Sequence, residues 1–131
     1  MNILSKEQLT DCMKPVFKQK GFRKVKTTWW KTTDELIYVV NIQGSQWSNE
    51  VYYINVAIYI KALGTEINPT EYRCHVRSRI DQEKKSCVSI CKEVLDWFEK
   101  YGDIHRLKTI RQQNELPLMI TVDTHNYLDK I

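Results

Sequence analysis

The sequence lacks the features that mark membrane-spanning, secreted or repetitive chains. Its 131 residues include only four glycines and three prolines, and we find no Gly/Ser linker, low-complexity tract or internal repeat. We therefore expect one domain over residues 1–131, which is large enough to bury a core. No apolar run is long enough to cross a bilayer. The start, MNILSKEQ, lacks the basic segment and apolar core of a signal peptide. These absences predict a cytoplasmic protein with no membrane partner.

The cysteines and histidines also lack any recognisable spacing. Cys12, Cys74, Cys87 and Cys91 follow no disulfide framework, and cytosolic thiols stay reduced, so we expect no disulfides. Cys87 and Cys91 would share a helix face, but they lie on its apolar stripe, where free cysteine behaves as a small hydrophobe. The three histidines have no ligand-like spacing. We therefore expect neither a bound metal nor a cofactor.

Familiar catalytic motifs are missing as well. There is no Gly-rich phosphate loop, nucleophile elbow, paired-carboxylate motif or His-Glu-x-x-His motif. A Cys74–His75 nucleophile would need both side chains on one side, yet adjacent residues of a strand point to opposite faces. The sequence therefore favours a non-catalytic protein and leaves catalysis by a less familiar arrangement open.

What the sequence does contain is a helical periodicity near both ends. A helix is predicted over about residues 6–20, with Ser5 and Gln8 forming its capping box. The clearest helix is predicted over about residues 82–101, with Asp81 as its cap. Two further helical segments are expected after it, one capped by Asp103 and a short terminal one from Thr124 to Ile131.

Between these helices the chain alternates as strands do. The predicted strands are residues 22–31, 36–43, 51–60 and 72–80, with residues 116–122 as a candidate fifth strand. Strands joined by short loops pair as antiparallel neighbours, and helices at both ends can cover one face of the sheet. The sequence predicts an α+β fold, an antiparallel sheet of four to five strands with helices packed on one face.

Parity divides this sheet into two chemically different faces. In the predicted strands between residues 36 and 80, the even-numbered positions are almost all apolar, whereas many odd-numbered positions carry amides, phenols and guanidinium groups. We call the second set the polar face. Its members are Asn41, Gln43, Ser45, Tyr53, Asn55, Tyr59, Arg73, His75, Arg77 and Arg79. This composition indicates a binding surface without naming its ligand.

Two further features lie beside the polar face. The first 31 residues hold eight lysines and arginines against two acidic residues, which can attract nucleic acid or an acidic partner. The same charges are more typical of a solvated helix followed by a charged edge strand, since lysine-rich edges oppose strand-to-strand aggregation. The polar loop 44–49 contains Trp47, a residue type enriched at protein interfaces, which could instead fold back over the edge of the sheet.

Four runs of residues carry a resemblance to a known family. GFRKV, VVNIQGSQWS, YYINVAIYI and CHVRSRI follow one another in the order found in the bacterial domain-of-unknown-function family 4304, which this chain resembles over roughly residues 9–100. The family has no established activity, so the resemblance supports the fold and boundaries rather than a chemistry. Its pattern falls on Gly21, Phe22, Gln43, Ser45, Trp47, Asn55, Cys74, Arg77 and Arg79.

Two functional hypotheses follow from these observations. The first is a non-catalytic module that binds a protein partner, with an immunity-like role, through the polar face and the loop 44–49. Its candidate binding residues are Asn41, Gln43, Ser45, Trp47, Asn55, Arg77 and Arg79. The alternative is a phosphate-bearing ligand or nucleic acid held by Arg73, Arg77, Arg79 and the basic first strand. In a further interpretation, Arg77 or Arg79 pairs with acidic residues of the tail or with carbonyl groups of the loop at Gly44, and the tail covers the polar face.

Overall fold

The computed structural model describes residues 5–44, 52–81, 85–113 and 119–131. Within these ranges the chain forms four α-helices, six β-strands and two short 3₁₀ turns. The helices are α1 (Lys6–Gln19), α2 (Cys87–Tyr101), α3 (Ile104–Gln112) and α4 (Val122–Lys130). The strands are β1 (Arg23–Val25), β2 (Thr28–Thr32), β3 (Leu36–Gly44), β4 (Tyr52–Ile60), β5 (Val76–Ile80) and β6 (Met119–Ile120).

The strands form a single described sheet in sequence order, and every neighbouring pair is antiparallel. The predicted α+β fold is therefore confirmed, with six described strands instead of four to five. The additional strand arises because the segment predicted as one strand over residues 22–31 is a hairpin. Its turn contains Lys26 with a φ of 55°, a left-handed conformation that non-glycine residues seldom adopt.

Two predicted boundaries are wrong by several residues. The strand predicted over residues 72–80 begins only at Val76, because Glu71–Arg73 form a 3₁₀ turn. Arg73 is therefore not part of the sheet. The helix predicted from residue 82 begins at Cys87, and its cap is Ser86 rather than Asp81. The Ser86 hydroxyl accepts a hydrogen bond from the Ser89 amide, which satisfies one unpaired donor of the first turn.

The predicted caps of two other helices are confirmed. Ser5 and Gln8 form a reciprocal capping box at the start of α1. Asp103 caps α3 by accepting hydrogen bonds from the backbone amides of its first turn. The terminal helical segment is longer than expected, because α4 starts at Val122. Among the described residues, no helix is both long enough and apolar enough to span a bilayer.

The core lies between the sheet and the helices, on the even-numbered face. Strand residues Val40, Val56 and Ile58 are fully buried there, against side chains from all four helices. The helix residues that complete this core include Leu9, Met13, Phe17, Ile90, Val94, Phe98, Leu107 and Leu128. This arrangement confirms that the helices pack on one face of the sheet, and it leaves the polar face on the other side.

Candidate functional site

The polar face is divided into two halves. Residues 61–75, which connect β4 to β5, cross one half and bury a second apolar cluster beneath them. We call this the covered half. Its buried residues are Trp30, Ile37, Val39, Ala57 and Tyr59 of the sheet, together with Cys74 of the connection itself. These apolar residues explain why half of the face is closed, since the connection has a hydrophobic surface on which to pack.

Polar contacts fix the connection to the sheet. The Trp30 indole Nε1 donates to the Pro69 carbonyl at 2.8 Å, and the Tyr59 hydroxyl accepts from the Glu66 amide at 3.1 Å. Arg77 makes a bidentate contact with Glu71, with its Nε at 2.8 Å and its Nη2 at 3.1 Å from the carboxylate oxygens. The hydrogen bond to Glu71 raises the pKa of Arg77, whose side chain is half-buried. Arg77 thus anchors the connection.

A second predicted arginine is also paired. Arg73 lies on the outer surface of the connection, where its Nη1 is 2.7 Å from the Glu66 carboxylate. Within the described ranges, Arg79 makes no ion pair. The three arginines that the sequence groups on one strand face therefore have three different environments.

The remaining part of the polar face contains a row of hydrogen-bonded side chains that crosses four strands. Thr28, Asn41, Asn55 and Arg79 stand opposite one another on β2, β3, β4 and β5. Asn41 Nδ2 donates to the Thr28 hydroxyl at 2.8 Å, and Asn55 Nδ2 approaches Asn41 Oδ1 at 3.4 Å. Arg79 Nε donates to Asn55 Oδ1 at 3.1 Å. Asn55, only 2% exposed, is the centre of the row.

The next row outward carries the exposed groups. Gln43 and Tyr53 face each other on β3 and β4, and Gln43 Oε1 accepts from Asn55 Nδ2 at 3.1 Å. The Arg79 guanidinium lies over the Tyr53 ring, 4.4 Å from its centroid, and that tyrosine is 40% exposed. Val25 of β1, which pairs with Thr28, is also exposed. We call these residues the open half: Val25, Thr28, Asn41, Gln43, Tyr53, Asn55 and Arg79.

The structure thus brings together four of the predicted binding residues and separates a fifth. Asn41, Gln43, Asn55 and Arg79 meet in the open half, whereas Arg77 points to the covering connection. Ser45 and Trp47 lie outside the described residues. In the described part of the tail, β6 pairs with the edge of β5, so it extends the sheet. The connection, not this strand, closes the covered half.

His75, at the end of the covering connection, is a titratable member of the polar face. Its Nδ1 accepts a hydrogen bond from the Ile60 amide at 2.8 Å, and its ring centroid lies 4.7 Å from that of Tyr59. Burial lowers the pKa of His75, although nearby acidic residues oppose the shift. The hydrogen bond needs an unprotonated Nδ1, so the folded protein holds this side chain neutral.

This environment predicts a loss of stability in mild acid. Because the folded pKa of His75 is lowered, the unfolded chain takes up a proton first as the pH falls through its ordinary value near 6.5. The free energy of unfolding should therefore decrease from that pH down to the folded pKa. Urea titrations at pH 7.5 and about pH 5 measure the decrease. His75→Asn, which keeps an acceptor without the titration, should reduce it, and an identical decrease in the variant would contradict this assignment.

A cleft lies on the helical side of the molecule, away from the polar face. Its volume is about 590 Å³, and it is bounded by α1, α2 and the adjacent strands. Its walls are mainly apolar, and three lysines and two acidic side chains are also present. The lining side chains include Val16, Lys20, Phe22, Lys31, Tyr38, Lys92, Leu95, Asp96, Phe98 and Glu99.

Three cysteines meet in this cleft. Cys12 of α1 and Cys87 of α2 form a disulfide with their Cα atoms 6.4 Å apart, which corrects the expectation of no disulfides. The Cys91 sulfur lies 3.9 Å from that of Cys87. The four-residue spacing of Cys87 and Cys91 predicts that they share a helix face, but their neighbour Cys12 is 75 residues from Cys87. Only the packing of α1 against α2 brings the three together.

The two free cysteines are both buried, but they lie in different places. Burial raises the pKa of Cys91 in the cleft, and it raises the pKa of Cys74 in the covering connection to about 12. Both are therefore neutral thiols near pH 7. Cys74 lies on the opposite side of the sheet and forms no part of the cysteine cluster.

Fold and site together define an α+β domain whose six described strands lie in sequence order, with one sheet face under helices and the other half open. The chain belongs to the family described as "Domain of unknown function (DUF4304)", whose profile matches residues 13–122. This confirms the family resemblance and extends it past residue 100. Searches among curated proteins and among solved structures gave no significant match.

Proposed function

We propose that this chain is a non-catalytic module that binds a protein partner through the open half of its polar face. The observation that supports this proposal is the exposed Tyr53–Arg79 pair, held in place by the buried amide of Asn55. Tyrosine and arginine are among the residue types that contribute most to binding at protein interfaces. A cytoplasmic location and an immunity-like role belong to the same proposal.

The side chains of Arg79 and Tyr53 are already ordered in the free protein, and this favours binding. Arg79 is fixed at its Nε by Asn55 and stacked on Tyr53, so it has already lost much of the conformational freedom that an arginine gives up on association. Tyr53 projects from the middle of a sheet and has few rotatable bonds. A partner therefore meets a rigid surface, and less of the interaction free energy is spent on ordering it.

The chemistry of the open half also indicates what the partner should offer. Arg79 makes no ion pair among the described residues, so a carboxylate from the partner would complete a charge-assisted hydrogen bond. The Tyr53 ring provides apolar area beside Arg79, and Val25 provides further apolar area at the β1 end of the same row. Ser45 and Trp47 follow β3 directly in sequence, and they remain part of the proposed surface as sequence predictions.

The alternative, an anion or nucleic-acid site, has less support. Arg73 and Arg77 are paired with Glu66 and Glu71, so a phosphate would have to compete with two carboxylates already in contact. Binding by counterion release weakens steeply with salt, which gives this alternative its own test. Strong retention on heparin at low salt, lost in Arg79→Ala, would favour it over a protein partner.

A matched pair of double variants tests the proposed function. Tyr53→Ala/Arg79→Ala removes the exposed pair, and Tyr72→Ala/Arg73→Ala removes the same residue types from the connection, where Tyr72 is 68% exposed. The Arg73 ion pair is exposed, so its loss should change stability little. We expect both variants to fold and only the first to lose the proteins that the wild-type chain retains from a lysate. Equal retention by the two variants would contradict the proposal.

A further inference from the structure

We propose that Cys12, Cys87 and Cys91, when reduced, form a binding site for one soft metal ion of the copper(I) or zinc(II) class. Their three sulfur atoms lie within 4.8 Å of one another, on two helices that pack side by side. Cys87 and Cys91 are four residues apart on α2, and Cys12 approaches from α1. The site is independent of the open half, which lies on the other side of the sheet.

The spacing of the sulfur atoms suits a single ion. Two thiolates that each lie about 2.3 Å from one metal, at an angle between tetrahedral and trigonal, stand about 3.8–4.0 Å apart. The Cys87 and Cys91 sulfurs are 3.9 Å apart without any adjustment of the helix. Cys12 needs only to withdraw from its bond with Cys87 to become the third ligand.

The nature of the donors selects the metal. All three ligands are sulfur, and within the described chain no histidine or carboxylate joins this cluster. Thiolates select copper(I) and zinc over the harder ions that carboxylates and water prefer. Copper(I) accepts three sulfur ligands as a complete set, whereas zinc would bind a water molecule in the fourth position.

The surroundings of the cluster help to stabilise a metal–thiolate complex. Val16 and Leu95 line the same cleft as the cysteines, so part of the surroundings of a bound ion would be apolar. Three thiolates carry more negative charge than either ion neutralises. Lys20 and Lys31 line the same cleft, and their ammonium groups can offset the excess.

The disulfide sets the condition under which the site exists. A dithiol reductant transfers two electrons and two protons to the Cys12–Cys87 bond, giving two thiols while the reductant itself becomes a disulfide. Binding of the metal then displaces the thiol protons from the three cysteines into solvent. The oxidised chain, which retains only the Cys91 thiol in the cluster, lacks this site.

The test is a metal titration of the full chain after reduction and removal of the reductant under nitrogen. Copper(I) is added in competition with a chromophoric chelator, and cobalt(II) serves as the spectroscopic substitute for zinc(II). We expect one equivalent of at least one ion per chain, with thiolate-to-cobalt charge-transfer absorption if the site is of the zinc type. Cys91→Ala and Cys12→Ser should each weaken binding by about tenfold or more.

Cys74→Ala is the matched control, because it removes a buried thiol from the opposite side of the sheet. It should bind metal as the wild type does. Two cluster variants are used so that a folding defect in one, seen by circular dichroism, does not decide the result. The proposal is overturned if the reduced wild type binds neither ion stoichiometrically, or if Cys74→Ala weakens binding as much as the cluster variants do.

Discussion

Replacing Cys12 by serine should lower the free energy of unfolding of the oxidised chain by about 2–4 kcal/mol. The Cys12–Cys87 disulfide joins residues 75 positions apart, so it removes a large amount of conformational freedom from the unfolded state. It also ties α1 to α2, the two helices that enclose the cleft. Urea titration of wild type and Cys12→Ser in non-reducing buffer measures the difference.

The same titration with a reductant present is the control for the disulfide. Wild type should fall towards the stability of Cys12→Ser, and the variant itself should be unaffected by the reductant. If the stability of the wild type does not depend on the reductant, the disulfide contributes nothing to the free energy of unfolding.

The second large effect is expected at Asn55. Replacing it by leucine, which has a similar branched shape, should cost about 1–3 kcal/mol, because Asn41, Gln43 and Arg79 all lose a hydrogen-bond partner. Asn55 is almost fully buried, so water cannot replace these bonds at the centre of the row. Arg79 should also become less ordered, which would weaken binding to the proposed partner.

Gln43→Leu is the matched control for this variant. Gln43 accepts one hydrogen bond from the same amide but is itself exposed, so its replacement should change stability by less than about 0.5 kcal/mol. Denaturant midpoints of the two variants give the comparison. If Gln43→Leu destabilises the protein as much as Asn55→Leu does, the row does not depend on its buried centre.

The alternation of the central strands carried enough information to predict the two faces of the sheet. Ile54, Val56 and Ile58 repeat every second residue along one strand, and a slip by one position would have moved all three to the opposite face. The helix caps at Ser5 and Asp103 were predictable for a similar reason, since their partners lie within three residues. Local patterns thus specified most of the architecture.

The errors in the strand boundaries have physical causes that local patterns do not reveal. The turn of the β1–β2 hairpin contains Lys26 in a left-handed conformation, without the glycine or asparagine that usually marks such a turn. The run of residues 72–75 alternates like a strand. These residues nevertheless belong to the connection, which contacts such as the ion pair between Arg77 and Glu71 hold against the covered half.

The candidate site was predictable only in part, because several of its contacts join residues that are far apart in sequence. Parity placed Asn41, Asn55 and Arg79 on one face, and the structure adds the register that aligns them in one row. Neither the covering of Trp30 nor the meeting of Cys12 with Cys87 follows from spacing. Both contacts join residues far apart in sequence: the Trp30 indole with the Pro69 carbonyl, and the two sulfur atoms with each other.

Site-specific photocrosslinking tests the central claim, that a protein partner docks on the open half, most directly. A benzophenone side chain at position 25, an exposed residue of the open half, leaves the Tyr53–Arg79 pair intact, and the same group at exposed position 72 would lie on the covering connection. In the organism's own lysate, we predict a discrete crosslinked protein from position 25 and none from position 72. Equal crosslinking from both positions, or none from position 25, would contradict the account.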